Sequence, residues 1–458
     1  MAQPRVVIVG AGPAGVRCAE QFVKAGLRPT VIDEGRRDGG QIYRRQPENF
    51  KRPYGTLYGT EAGRAESLHR SFDALRGAID YLPETLAWNV SEGRIHLVRN
   101  GHVSSLAYEI LVLCTGATDR LMPLKGWHFA GTYSLGAAQV ALKSQACSVG
   151  REVVFLGSGP LLYLVASQYI KAGAKVAAVL DTSSFWQQLS AMPKLMARPS
   201  LLKKGVLLVA AIKRAGVPVL NGVTPLEIIG DADKGVRAVS YRQANGETAS
   251  ISCDAVAMGY HLRAETQLAD LARCEFAFDH ASRQWLPRTG EDGRSSVPGV
   301  YLAGDGVRIL GADGAENAGR LAALAALADC GHTVDQPEFA ALRKQQLAME
   351  RFRQGLLQAF PWPARQAASL PDEAIVCRCE CITAGELRHA VSGMGAVEAN
   401  RAKAFSRVGM GRCQGRYCGH AGAEVIAAAA GIPIAEVGRL RAQAPVKPLA
   451  FSVVEDAP

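Results

Sequence analysis

The chain has no uninterrupted apolar run near the ~20 residues that cross a bilayer as a helix, so no membrane span is expected. Its first strand-like run begins at residue 5 or 6. That leaves no room for a secretory leader and points to the cytoplasm, with membrane association only through partners. A block of basic residues is missing too. Lys and Arg number 52 against 42 Asp and Glu, a net charge of +10, but they occur only in short groups such as Arg36-Arg37, Arg44-Arg45 and Lys203-Lys204. Such scatter reads as a solvated surface, or at most a docking face for an acidic partner, and not as a nucleic-acid groove. Without a leader, the eleven cysteines are not expected to form structural disulfides. Before residue 370 no two of them stand as C-x-x-C or C-x4-C: Cys147 is alone and Cys18 lies inside a helical run. Thiol–disulfide catalysis is therefore excluded. No catalytic acid or base can be named either.

What is present is organised around Val6-Val7-Ile8-Val9-Gly10-Ala11-Gly12-Pro13-Ala14-Gly15. Four β-branched residues predict a buried strand, and Gly-x-Gly-x-x-Gly follows at once. A helical run from Val16 to Ala25 and a second strand, Pro29 to Ile32, lead to Asp33-Glu34. Here a dinucleotide fingerprint has its full context. Gly10 permits the tight turn, Gly12 the approach of a pyrophosphate, and Gly15 close helix–strand packing. The pyrophosphate would sit at the helix N-terminus. Glu34, nineteen residues after Gly15, is the expected ribose ligand, with Asp33 next.

Three further stretches follow in order. Gly39-Gly40-Gln41 gives a loop able to run close to a flat ring. Ile110 to Ala117 is a buried strand ending in Thr115-Gly116. In Val297 to Gly306 a strand delivers Gly304-Asp305 to a helix start, with an Ala-rich helix from Asn317 to Asp329. A second strand–turn–helix, Glu152 to Ala172, carries Gly157-Ser158-Gly159 but has Leu162 where the third glycine belongs. The alternatives for Gly157/Gly159 are NAD(P), an adenine nucleotide such as ATP or ADP, or an empty fold. Residues 183 to 209 are irregular, readable as a partner-facing excursion or a capping helical pair.

Five cysteines crowd the C-terminal region. Cys377-x-Cys379, thirty-three intervening residues, and Cys413-x4-Cys418 offer four thiolates from two loops. That set suits a 2Fe–2S cluster or tetrahedral zinc, and the x1 and x4 spacings fit zinc modules poorly. Cys381 reads as a structural thiol.

These motifs resemble known families. GAGPAG, GGQ, the Thr-Gly strand end and Gly-Asp are similar to the flavin-disulfide-reductase-like family. The resemblance implies FAD, bound by Gly10, Gly12, Pro13, Ala14, Gly15, Asp33, Glu34, Gly40, Gln41, Thr115, Gly116, Gly304 and Asp305, with Asp305 on a ribityl hydroxyl. CRCE…GMGRCQGRYCG resembles the bacterioferritin-associated-ferredoxin-like (BFD-like) 2Fe–2S domain, which implies Cys377, Cys379, Cys413 and Cys418 as iron ligands. The expected fold class is α/β: two Rossmann-like dinucleotide-binding domains plus a small helical C-terminal BFD-like domain. The expected boundaries are 1–130 with 253–330 for FAD, 131–252 for the second nucleotide unit, 331–375 for a helical linker, 376–431 for the cluster and 432–458 for a tail.

The whole arrangement resembles the α (A) subunit family of heteromeric FAD-dependent dehydrogenases, which includes opine oxidases, D-hydroxyproline and proline dehydrogenases, and hydrogen cyanide synthase. It implies an electron-transfer subunit working with a D-amino-acid-oxidase-like β subunit, with room for a small third subunit. That partner would oxidise a C–N bond, and a quinone or cytochrome would be the acceptor. Competing readings are a self-sufficient NAD(P)H-dependent reductase feeding its own cluster, and a non-catalytic assembly subunit. The stretch Arg439 to Pro448 and residues 183 to 209 are the expected docking surfaces.

Overall fold

The structure is a computed structural model that describes residues 3–450 and the backbone of 454–455. Its first sheet has five parallel strands in the order Val300–Leu302, Ile110–Leu113, Val6–Val9, Thr30–Ile32, Asp80–Leu82. All of Val6–Val9 is buried because both faces of the sheet are covered. Val6 and Ile8 join the core under the helices Pro13–Lys24, Ala62–Leu75 and Gly311–Asp329. Val7 and Val9 face the other way, toward Ile95, Leu97, Leu268 and Val446. Alternation at period two thus builds two cores from one strand.

Three glycines set the spacing of these layers. A Cβ on Gly10 (φ +106°) would meet the Cys114 carbonyl oxygen at 2.3 Å, one on Gly15 the Gly10 oxygen at 1.8 Å, and one on Gly319 the Ala14 oxygen at 2.0 Å. The last contact lets the Ala-rich helix Gly311–Asp329 lie directly on the fingerprint helix. Pro13 opens that helix at its first turn, where a missing N–H removes no internal bond.

The second sheet repeats the plan: Val219–Asn221, Lys175–Asp181, Glu152–Ser158, Ala255–Tyr260, Thr132–Ser134, all parallel. Ala255–Tyr260 belongs to this sheet, so the chain returns to the first unit after Tyr260 and not at residue 253. Its six residues are all buried, and they pair with Glu152–Ser158 along their whole length. Departure and return run side by side, Ala117–Asp119 antiparallel to Leu262–Ala264.

The helix Gln336–Ala359 is capped by Asp335, which accepts from the Glu338 N–H at 3.1 Å, and it ends before Phe360-Pro361-Trp362-Pro363. The C-terminal unit packs the helices Ala384–Met394, Ala399–Ser406 and Gly419–Ala430 behind a two-stranded pair, Ile375–Cys377 with Ile382–Thr383. Thr383 and Glu386 form a capping box there.

Candidate flavin and iron–sulfur sites

The motifs carrying the flavin expectation converge on one cleft. Gly12 and Gly40 touch: a Cβ on Gly40 (φ +61°) would meet the Gly12 Cα at 2.9 Å. The Gly39 N–H donates to the Ala11 carbonyl at 2.9 Å. Gly304 lies on Ala14, and a Cβ on Gly306 would meet the Thr115 Oγ1 at 2.7 Å. The cradle is therefore bare backbone where a pyrophosphate and ring system must approach, which fits FAD.

The acids divide their work. Asp33 turns inward and accepts from the Ala11 N–H at 2.5 Å and the Gly35 N–H at 2.6 Å, bracing the glycine turn. Burial pushes its carboxyl up, against the pull of those two N–H groups. Glu34 faces solvent with 58% of its side chain exposed, and ion-pairs with Lys447. Glu34 thus lies at the surface beside Lys447, while both carboxylate oxygens of Asp33 are taken by backbone N–H groups. Gln41 points outward, its Oε1 accepting from Arg44 at 2.7 Å. Asp305 accepts from the Leu310 and Gly311 N–H groups at 2.9 and 3.2 Å, both on Oδ1, and so caps the helix behind it. No described residue donates to its Oδ2. Burial pushes this carboxyl up to about 6.

In the cysteine unit Cys377 and Cys418 are buried, Cys413 is half-buried and Cys379 is exposed. Their thiols touch in sequence: Cys377 to Cys418, Cys418 to Cys413, Cys413 to Cys379. A bond from Cys418 leads in drawing Cys377 down to about 6, aided by the N–H groups of Gly409, Glu380 and Cys379. A bond from Cys418 likewise leads in drawing Cys413 down to about 5, aided by Tyr417 and Gly415. Cys418 itself is held well above its ordinary value, first by those two bonds. Backbone donors around sulfur are what an anionic cluster requires. Among the described residues no set of three or more His, Cys, Asp or Glu side chains is arranged for a metal ion, so the fit to a cluster rests on these pairwise contacts and the donors around them. Gly411 is obligatory, since a Cβ there would meet the Cys379 Cβ at 2.1 Å. Cys381 stands apart in a left-handed conformation (φ 55°), its Sγ 4.0 Å from the Arg378 oxygen.

The second crevice is filled. Leu162 is wholly buried against Leu135 and Val153. The His261 ring stands over Gly159, 3.3 Å from where a Cβ would be, and its Nε2 meets the Phe360 carbonyl at 2.6 Å. Asp181, the acid that would take a ribose, is fully buried. It accepts from the Tyr163 hydroxyl, the Ser183 N–H at 2.8 Å and the Ser183 hydroxyl at 2.7 Å. Burial pushes it up to about 6. The plug of His261, Tyr163 and Phe360 went unread in sequence, where only the apolar Phe-Pro-Trp-Pro in a charged linker hinted at it.

The stretch Arg439 to Pro448, expected as a docking surface, is laid against the body of the protein while Arg441, Gln443 to Pro445 and Pro448 stay exposed. Arg439 holds Asp270 with two bonds, of 2.5 and 2.8 Å, and stacks 3.8 Å from the centre of the Phe276 ring. Val446 is buried, with its N–H on the Trp88 oxygen at 3.1 Å. By contrast Phe185 and Trp186, 62% and 74% exposed with their rings edge to face, and Met196, Val206 and Leu207 are open to solvent. Among the described residues no helix is long and apolar enough to cross a membrane.

The sequence matches the pyridine nucleotide-disulphide oxidoreductase family over residues 4–325 and the BFD-like 2Fe–2S binding domain over residues 375–428. The A subunit of opine oxidase from Rhizobium meliloti is 38% identical to it over 99% of this chain and 87% of its own length. The chain belongs to the family of opine oxidase A subunits. It is an FAD- and 2Fe–2S-containing oxidoreductase, as expected. The HcnB subunit of hydrogen cyanide synthase from Pseudomonas aeruginosa is 29% identical over 99% of this chain and 98% of its own. Among solved structures, L-proline dehydrogenase from P. horikoshii superposes with a TM-score of 0.69 at 17% identity, covering 98% of this chain and 79% of that one, and shares the fold. The α/β architecture with a helical C-terminal cluster domain is thereby shown.

Proposed function

We propose that this chain is the electron-relaying subunit of a heteromeric dehydrogenase. A companion D-amino-acid-oxidase-like subunit, with or without a small third one, oxidises the C–N bond of an opine, D-hydroxyproline, proline or related amino acid. A quinone or cytochrome takes the electrons, in the cytoplasm or at a membrane reached through partners. FAD supplies two-electron acceptance with single-electron release, and 2Fe–2S supplies one-electron carriage.

The chain's own residues shape this role. Gly10, Gly12, Pro13, Ala14 and Gly15 would cradle the pyrophosphate at a helix N-terminus. Glu34 would take the ribose, Asp305 the ribityl chain through Oδ2, and Gly40, Gln41, Thr115, Gly116 and Gly304 the walls. Cys377, Cys379, Cys413 and Cys418 would ligate the irons. The stretch 183 to 209, with Phe185 and Trp186 exposed, is the docking surface proposed for the companion.

One observation carries the reading: the second nucleotide crevice is sealed by Tyr163, His261 and Phe360, so reducing equivalents must come from elsewhere than a nicotinamide bound there. The same feature weighs against the self-sufficient NAD(P)H reductase. The match of residues 375–428 to a 2Fe–2S binding domain, with Gly411 pressed against Cys379, weighs against an assembly role with vestigial sites. The test is dye reduction by opines, proline, hydroxyproline, sarcosine or glycine with and without companion chains. Turnover is expected only with the companion; robust turnover by this chain alone refutes the heteromeric assignment.

A further inference from the structure

One buried ion pair joins the two cofactor sites. Glu265 follows the return strand Leu262–Ala264. Its backbone is locked to the flavin-side loop: the Thr115 hydroxyl donates to the Glu265 oxygen at 2.6 Å, and the Glu265 N–H to the Gly116 oxygen at 3.0 Å. Its carboxylate takes both edges of Arg416, from Nε at 2.7 Å and Nη2 at 3.1 Å. Arg416 lies between Cys413 and Cys418. Its Nη1 donates to the Cys413 oxygen at 3.2 Å and to the Val446 oxygen at 2.8 Å. Arg416 and Glu265 keep only 9% and 13% of their side chains exposed. Beside them Gln267 Nε2 donates to the Gln414 oxygen at 2.8 Å. The loop bearing two thiols is thus fastened to the strand end that walls the flavin cleft.

We propose that Glu265 and Arg416 are a positioning pair that fixes the cluster-bearing loop against the Thr115-Gly116 wall and so sets electron passage between the two sites. This deepens the electron-relay reading and rests on it. A bidentate fork holds direction as well as distance, which a single lysine bond does not. Thr115 and Gly116 touch Gly306 on one side and Glu265 on the other, so the path from one site to the other runs through a few bonded contacts.

The experiment uses the full holoprotein, reduced anaerobically by two electrons and mixed with ferricenium ion. Each electron leaving the flavin reduces one iron from Fe(III) to Fe(II), then passes to ferricenium to give ferrocene, and the two flavin protons go to solvent. Flavin reoxidation is followed in wild type, Glu265→Gln, Arg416→Lys, Arg416→Met and a Cys413→Ser control without cluster. Iron content, the paramagnetic signal of the reduced cluster and amide exchange over residues 409–419 are read in parallel.

The expected result is full flavin and iron in Glu265→Gln and Arg416→Lys, with faster exchange of the loop. Reoxidation should slow roughly tenfold or more in Arg416→Met, with part of the rate kept in Arg416→Lys. Variants with full cofactors and wild-type rates overturn the proposal. So does loss of iron from all three variants, which would make the pair a prop for the cluster only. If wild type reoxidises no faster than the Cys413→Ser control, the electron-relay reading itself falls, a distinct outcome.

Discussion

Lys447, eleven residues from the C-terminus, forms an ion pair with Glu34 at the end of the second strand. The tail is thereby laid over the acid proposed for the ribose of FAD. Both side chains keep solvent contact, so the pair itself contributes under about 1 kcal/mol. Lys447→Ala should leave thermal stability nearly unchanged. Glu34→Ala should weaken FAD binding by about 1.5–3 kcal/mol, the usual value of a hydrogen bond to a charged group. Thermal unfolding checks the first and titration of apoprotein with FAD the second. Equal FAD affinity in Glu34→Ala and wild type would contradict the ribose role proposed for Glu34.

The fingerprint glycines should fail differently. Gly12 has an extended backbone and only Gly40 Cα nearby, 3.6 Å from where a Cβ would be, so Gly12→Val is tolerated by the fold while blocking the pyrophosphate. Flavin absorbance should vanish with helix content retained. Gly15→Ala drives a Cβ into the Gly10 oxygen and should unfold the unit. Asp305→Ala removes a cap, costing about 1 kcal/mol of stability, and weakens FAD less than Gly12→Val does. Full flavin in the Gly12 variant would refute the N-terminal site.

Replacing Cys377, Cys379, Cys413 or Cys418 by Ser should abolish visible cluster absorbance and the reduced-state paramagnetic signal. Cys381→Ser should keep both, because its thiol lies outside the set of touching sulfurs. Anaerobic metal analysis should give about two irons and two sulfides per chain. Stoichiometric zinc without iron would end the relay reading.

Asp181 supplies a pH test. Its folded pKa of about 6 lies above its unfolded value near 3.8. The fold therefore binds that proton more tightly, an advantage complete below about pH 4 and lost as pH rises through 6. Asp181→Asn mimics the protonated form. The stability of the variant relative to wild type should rise by roughly 2–3 kcal/mol between pH 4 and pH 8. Denaturant unfolding at both pH values reads this double difference, and a flat difference would mean that Asp181 stays ionised.

NADH should not bleach the flavin of the isolated chain, because Tyr163, His261 and Phe360 occupy the crevice. Rapid anaerobic bleaching would show that the plug opens and would restore the reductase reading.

The sequence by itself determined the local devices. Strand, glycine turn and helix at residues 6–24 are written in short-range sterics: β-branched residues extend, and only glycine fits at Gly10 and Gly15. The spacing of Cys377, Cys379, Cys413 and Cys418 is likewise a local record, since each pair sits in one loop. Tertiary structure decided what long-range contact decides. Asp33 and Glu34 are neighbours in sequence, yet one is turned inward by the Ala11 and Gly35 N–H groups and the other outward to Lys447. Residues 439–447 look like a solvated tail until Asp270, Phe276 and Trp88, remote in sequence, bind them. The second glycine turn reads as a half-kept nucleotide site, and only the fold brings Phe360 some two hundred residues along the chain to close it. Burial and pairing between distant segments have no periodicity to read, and so they emerge only when the chain is folded.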